Sequence, residues 1–128
     1  MYEYAIKEIV KVVDGDTIDI VIDLGFNLSK KERVRLAGID TPESRTRDLE
    51  EKAMGLEAKD FLTRRLEDGI VSGLKVRTEK DGKYGRMLGY LFCGETNLNE
   101  EMVYRGYAWT YDGGKKEKDL EELRLKRS

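Results

Sequence analysis

The chain has 128 residues, 39% hydrophobic and 39% charged, which suits one folded domain with a single core, and no apolar run is long enough to span a membrane. With no histidine and one cysteine, Cys93, an internal disulfide, a Cys/His zinc set and a histidine-based nucleophilic triad are excluded. A net charge of -2 excludes nucleic-acid binding by bulk charge, so any such chemistry must come from local groups of carboxylates, arginines, lysines and tyrosines, or from a metal.

The start, Met1-Tyr2-Glu3-Tyr4, has neither a basic leader region nor an apolar one. That pattern is expected of a cytoplasmic chain, or of an exported one whose signal has been removed. Residues 5 to 13 are rich in Ile and Val and predict a strand, Asp14-Gly15 supplies a turn, and Thr17 to Leu24 predicts a second strand. In it Ile18, Ile20 and Ile22 alternate with Asp19, Val21 and Asp23, so the isoleucines share the core face. Gly25 to Lys31 reads as a loop, and Glu32 to Ile39 as a third strand stopped by Asp40-Thr41-Pro42, because proline has no N-H for the ladder.

Ser44 to Glu51 is charged and irregular, which predicts a mobile loop. Ala53 to Leu66 predicts a helix with Ala58, Phe61, Leu62 and Leu66 on its core stripe, ended by Gly69. Ile70 to Thr78 and Met87 to Phe92 predict two further strands across the turn from Asp81 to Gly85. Asn97-Leu98-Asn99-Glu100 resembles a capping box that starts a short helix closed by Gly106, and a last helix runs from about Lys116 to Lys126. Five strands with a helix between the third and fourth predict an α+β fold, a five-stranded Greek-key barrel of the OB type with about three helices packed outside, as one domain over residues 1-128. A small all-β sandwich is the competing architecture, and helix content disfavours it.

Two runs carry chemistry: Val13-Asp14-Gly15-Asp16-Thr17, and Arg35 through Glu43. They place carboxylates and an arginine on neighbouring strand ends, the parts needed to hold one hard cation against one phosphodiester. Calcium accepts carboxylates, carbonyls and water in loose geometry, so Asp16, Asp40 and the Thr41 carbonyl are the candidate ligands. Glu43, one residue past Pro42, is placed to orient or deprotonate a water. Arg35 and Arg86 would grip the phosphate and bear the charge of a five-coordinate transition state. Each element has a plainer reading: Asp-Gly-Asp as a turn, Asp40-Thr41-Pro42 as a strand terminator, Glu43 as a surface acid, Arg35 as a partner of Glu32. Arg86 is harder to dismiss, because Gly82 and Gly85 flank a turn presenting Lys83, Tyr84 and Arg86 together.

The three runs, in this order with Lys83-Tyr84-Gly85-Arg86 last, resemble those of the staphylococcal nuclease (thermonuclease) family over residues 12 to about 125. The resemblance implies calcium as cofactor on Asp16, Asp40 and Thr41, catalytic roles for Arg35, Glu43 and Arg86, and phosphate contacts from Lys83 and Tyr84. Asp14 and Thr17 match positions that support the ion. Tyr111 is the expected base-stacking aromatic, with Trp109 packing instead. The expected partners are DNA and RNA as substrates, with no membrane and a monomeric state; the expected products are 3′-phosphate and 5′-hydroxyl ends. One departure is the segment after Glu43, usually lysine-rich in the family, which here mixes Arg45 and Arg47 with acids. Two rivals are a catalytically weak interaction module of the same fold, as in Tudor-staphylococcal-nuclease proteins, and a plain single-strand-binding OB domain. Retention of Asp16, Arg35, Asp40, Glu43 and Arg86 weighs against the first, and the carboxylate cluster, which repels phosphate without a cation, against the second.

Overall fold

The computed structural model describes residues 2-79, 87-114 and 118-127. Strands β1 (Tyr2–Asp14), β2 (Thr17–Gly25), β3 (Leu28–Leu36), β5 (Leu74–Thr78) and β6 (Met87–Cys93) pair in the order β3-β2-β1-β5-β6, and β3 then pairs with β6, closing a five-stranded barrel. The closing pair is parallel, with Val34, Arg35 and Leu36 opposite Met87, Leu88 and Gly89. Three register irregularities between β1 and β2, the last at Val12/Asp14, give the long first strand the coil that closure requires.

Ile18, Ile20, Ile22, Val34, Leu36, Val76 and Leu91 fill the interior. Alternation along β3 therefore turns Arg35 outward between two buried neighbours. The expected loop from Gly25 to Lys31 reduces to a two-residue turn at Phe26 and Asn27, both with positive φ, because β3 begins at Leu28 and its lysines pair along β2. The expected third strand is also divided. It ends at Leu36, turns at Gly38 (φ 78°), and resumes as β4 (Ile39–Asp40), which pairs with β8 (Trp109–Thr110) outside the barrel.

Helix α1 (Leu49–Ser72) closes one end of the barrel with Ala58, Leu62 and Leu66. It starts earlier than the apolar stripe predicts, because Asp48 Oδ1 accepts hydrogen bonds from the Glu50 and Glu51 amides, and Glu50 and Glu51 lie in the first turn, where the helix dipole favours acids. It also runs past Gly69. A side chain there would meet Leu74 Cδ2 at 2.6 Å and Cys93 Sγ at 3.0 Å, so this glycine permits close packing, while Gly73, with φ 108°, ends the helix.

Asn97 caps α2 (Leu98–Tyr104) by accepting from the Glu100 amide, as the capping box predicts. Helix α3 (Leu120–Arg127) follows Asp119, whose Oδ1 accepts from the Glu121 and Glu122 amides, and docks through Leu123 on Trp109 and Met54. A short β7 (Thr96–Asn97) pairs with the end of β6. Among the described residues, no helix is long and apolar enough to cross a membrane.

Candidate active site

Three segments meet at the barrel rim: the β1-β2 turn, the end of β3, and the stretch from Asp40 to Ser44. Arg35 Nη2 stands 3.5 Å from Asp16 Oδ2 and 3.6 Å from Asp40 Oδ1, all three side chains being more than four-fifths buried. Arg35 Nη1 donates to the Leu36 carbonyl at 2.9 Å, which fixes the fork. The alternative partner, Glu32, bonds Lys30 instead. Asp16 is held from both sides: Thr17 Oγ1 donates to Oδ1 at 3.1 Å and the Thr41 amide to Oδ2 at 3.3 Å. Asp14 accepts from the Gly15 amide at 3.0 Å and so shapes the turn.

Close backbone approach sets the positions. A Cβ on Gly15 would lie 3.0 Å from Ala58 Cβ and 3.1 Å from Thr41 Oγ1, and one on Gly55 would lie 2.5 Å from the Glu43 carbonyl group. Helix α1 is thus pressed against both the aspartate turn and the backbone of Glu43, and at Gly55 a side chain would meet backbone that cannot yield.

Burial, together with the neighbouring Asp16 carboxylate, pushes the Asp40 carboxyl above its ordinary value, against the pull of Arg35 and Lys118. Two acids so close that one resists ionisation form a site short of positive charge. The donors at this point are all oxygen: two carboxylates, backbone carbonyls such as that of Thr41, and the buried Thr41 hydroxyl, whose oxygen has no hydrogen-bond partner among the described residues. That set fits a hard cation such as calcium and not a soft one. Among the described residues no three acidic, histidine or cysteine side chains converge, so backbone oxygens and water would complete the shell.

Glu43 is exposed, with its amide donating to Glu51 Oε2 at 2.9 Å. A residue that the sequence motifs do not single out completes this corner. Lys118 Nζ lies 3.0 Å from Glu51 Oε2 and 3.6 Å from Glu43 Oε1. Partial burial lowers its affinity for the proton, but the bond to Glu51 and the fields of Glu51, Glu43 and Asp40 outweigh that and hold the ammonium above its ordinary value. Lys118 is delivered by the docking of α3: Trp109, fully buried, donates from Nε1 to the Asp119 carbonyl at 3.0 Å. Tyr111, half-buried, follows β8 and donates its amide to the Gly38 carbonyl at 2.8 Å. Lys83, Tyr84 and Arg86 lie outside the described residues.

The structure therefore brings Asp16, Arg35, Asp40, Thr41 and Glu43 to one rim of a five-stranded barrel with three helices. The family model described as "Staphylococcal nuclease homologue" matches residues 33–127, and the chain belongs to the staphylococcal nuclease family. It is 35% identical over 101 residues to the thermonuclease of Staphylococcus hyicus, a match covering 79% of this chain and 56% of that protein. It is 37% identical over 114 residues to the micrococcal nuclease of Shigella flexneri, covering 81% and 57%. An uncharacterised Bacillus anthracis protein is 37% identical over 100 residues, covering 78% and 44%. The chain thus spans about half the length of these curated relatives.

Proposed function

We propose that the chain is a calcium-dependent nuclease that hydrolyses phosphodiester bonds of DNA and RNA with little sequence preference. The convergence of Asp16, Asp40 and Arg35 supports this most directly, because two largely buried acids beside a guanidinium shaped to grip phosphate make sense where a metal and a phosphate meet. Asp16, Asp40 and the Thr41 carbonyl would hold the calcium. When bound it would supply charge neutralisation at the phosphate and acidity to a nearby water.

The chain's own residues do the rest. Arg35 presents a planar fork to the phosphate and stabilises the charge that grows on its oxygens, a kind of contact worth roughly a hundred- to a thousandfold in rate. Glu43 takes a proton from the attacking water, while Lys118 holds its side chain and Glu51 its backbone amide toward the rim. Arg86, by family resemblance, is the second guanidinium, with Lys83, Tyr84 and Tyr111 contacting the substrate. Water attacks phosphorus, the P-O5′ bond breaks, and the departing 5′ oxygen takes a proton from solvent water, leaving a 3′-phosphate and a 5′-hydroxyl. Because water is the nucleophile, no 2′-hydroxyl is needed, so DNA and RNA are both substrates.

Incubation of supercoiled DNA with the protein tests this: nicking and linearisation in calcium, abolished by chelator, is the expected result. Intact DNA in calcium would overturn it.

A further inference from the structure

An open groove of about 990 Å³ lies behind the β4-β8 ribbon, walled by Gly38, Ile39 and Thr110 on one side and by α2 and the end of α3 on the other. Ile39 precedes Asp40 in the same strand, and side chains alternate along a strand, so the groove and the candidate metal site occupy opposite faces of one ribbon.

The floor is built from Tyr107. Its ring stacks on Phe61 with centroids 4.4 Å apart, and the Arg127 guanidinium lies 4.4 Å over it. Arg127 is fixed by Nε donating to the Gly106 carbonyl at 2.8 Å and by Nη1 at 3.1 Å from Glu57. Its Nη2 is buried with no hydrogen-bond partner among the described residues, so the guanidinium reaches the groove through the face it lays on Tyr107 and not through this nitrogen. On the rim, Tyr104 is 83% exposed, so its ring faces are open to a ligand. The described lining carries three cations, Arg105, Lys126 and Arg127, against one acid, Glu100, in a chain whose acids outnumber its bases by 26 to 24.

We propose that this groove binds single-stranded nucleic acid, with a base stacked on Tyr104 and phosphates held by Lys126 and Arg105 on a floor of Tyr107 and Arg127. The proposal rests on the nuclease reading for the identity of the polymer, and it gives the chain a second contact with a strand that passes over the β4-β8 ribbon. An acidic peptide would use the cations and leave Tyr104 without a role. A duplex would present no free base face to it.

Fluorescence anisotropy in chelator, where nothing is cut, tests it with a labelled oligothymidylate of about twelve nucleotides and an abasic oligomer of equal length and charge. Wild type is expected to bind the oligothymidylate more tightly, Tyr104→Ala to lose about tenfold in that affinity, and Lys126→Ala to weaken both ligands and lower the salt slope by about 0.7. Both side chains are exposed, so the variants should fold, which a thermal melt would verify. Tyr104→Ala binding like wild type, equal binding of the two oligomers, no binding, or displacement by polyglutamate as effective as by unlabelled oligothymidylate would each overturn the proposal. A chain that cuts DNA yet shows no effect of Tyr104→Ala loses only the groove. One that shows the stacking effect without cutting keeps the groove and loses the nuclease reading.

Discussion

Lys118 Nζ stands 3.6 Å from Glu43 Oε1, while Glu51 bonds both that ammonium and the Glu43 amide. One cation thereby ties the candidate general base to the first turn of α1. Glu43 is itself exposed, so its carboxylate depends on this ion pair more than a buried group would. Lys118→Met should lower kcat on the order of tenfold through misplacement of Glu43, while reducing stability by less than about 1 kcal/mol, the usual worth of a partly exposed pair. Single-turnover rates and thermal melts check this, and an unchanged rate would deny Lys118 a positioning role.

Gly55→Ala sets two effects against each other. Alanine favours a helix interior over glycine by about 1 kcal/mol, yet its Cβ would sit 2.5 Å from the Glu43 carbonyl group. Backbone cannot yield as a side chain tip can, so overpacking should win and destabilise by roughly 1 to 3 kcal/mol. Activity should fall further than stability explains, because the displaced group carries Glu43. Urea unfolding with parallel rate measurements checks both, and a stabilised variant would contradict the packing of α1 on this segment.

Asp40 makes the metal-free protein less stable when ionised, since burial and Asp16 raise its folded-state pKa. In chelator its penalty is full at neutral pH, shrinks as pH falls through the raised value, and is gone below the ordinary value of 3.8. Asp40→Asn should therefore melt higher than wild type at neutral pH without calcium, and the gap should close as pH falls through that window. The same change should weaken calcium binding by about tenfold or more. A variant less stable than wild type in chelator at neutral pH would contradict the like-charge reading of Asp16 and Asp40.

Much of this site is legible in the sequence, because strand periodicity and turn chemistry are local. The alternation of Ile18, Ile20 and Ile22 sets the core face of β2, and Arg35, between buried Val34 and Leu36, falls outside it, where the turn before β2 brings Asp16 beside it. Where local signals are ambiguous, tertiary contacts decide. Asp48 and Glu51 look like members of a charged loop, but they begin α1, one as its cap and the other as an anchor for Glu43. Gly69 looks like a helix stop and is a packing contact with Leu74 and Cys93. Lys118 carries no local signal, since its role depends on Leu123 docking against Trp109 and Met54. Asn99 is similar: it reads as part of a helix start, yet its buried side chain accepts from the Leu91 amide and donates to the carbonyls of Ala37 and Gly89, joining α2 to the turn before β4.

Arg35→Lys keeps the charge and loses the fork that bonds the Leu36 carbonyl while facing both aspartates. Lysine offers one rotating ammonium in place of a planar pair of donors, so the rate should fall by roughly a hundredfold or more, with a small change in melting temperature. Retention of most of the activity in steady-state assays would remove Arg35 from the phosphate.

Fragment ends expose the proposed chemistry most directly. A defined oligodeoxynucleotide digested in calcium and analysed by mass spectrometry should yield 5′-hydroxyl and 3′-phosphate termini, and none in chelator. Fragments with 5′-phosphates, or cleavage that persists in chelator, would contradict a calcium-dependent attack by water at the site formed by Asp16, Arg35, Asp40 and Glu43.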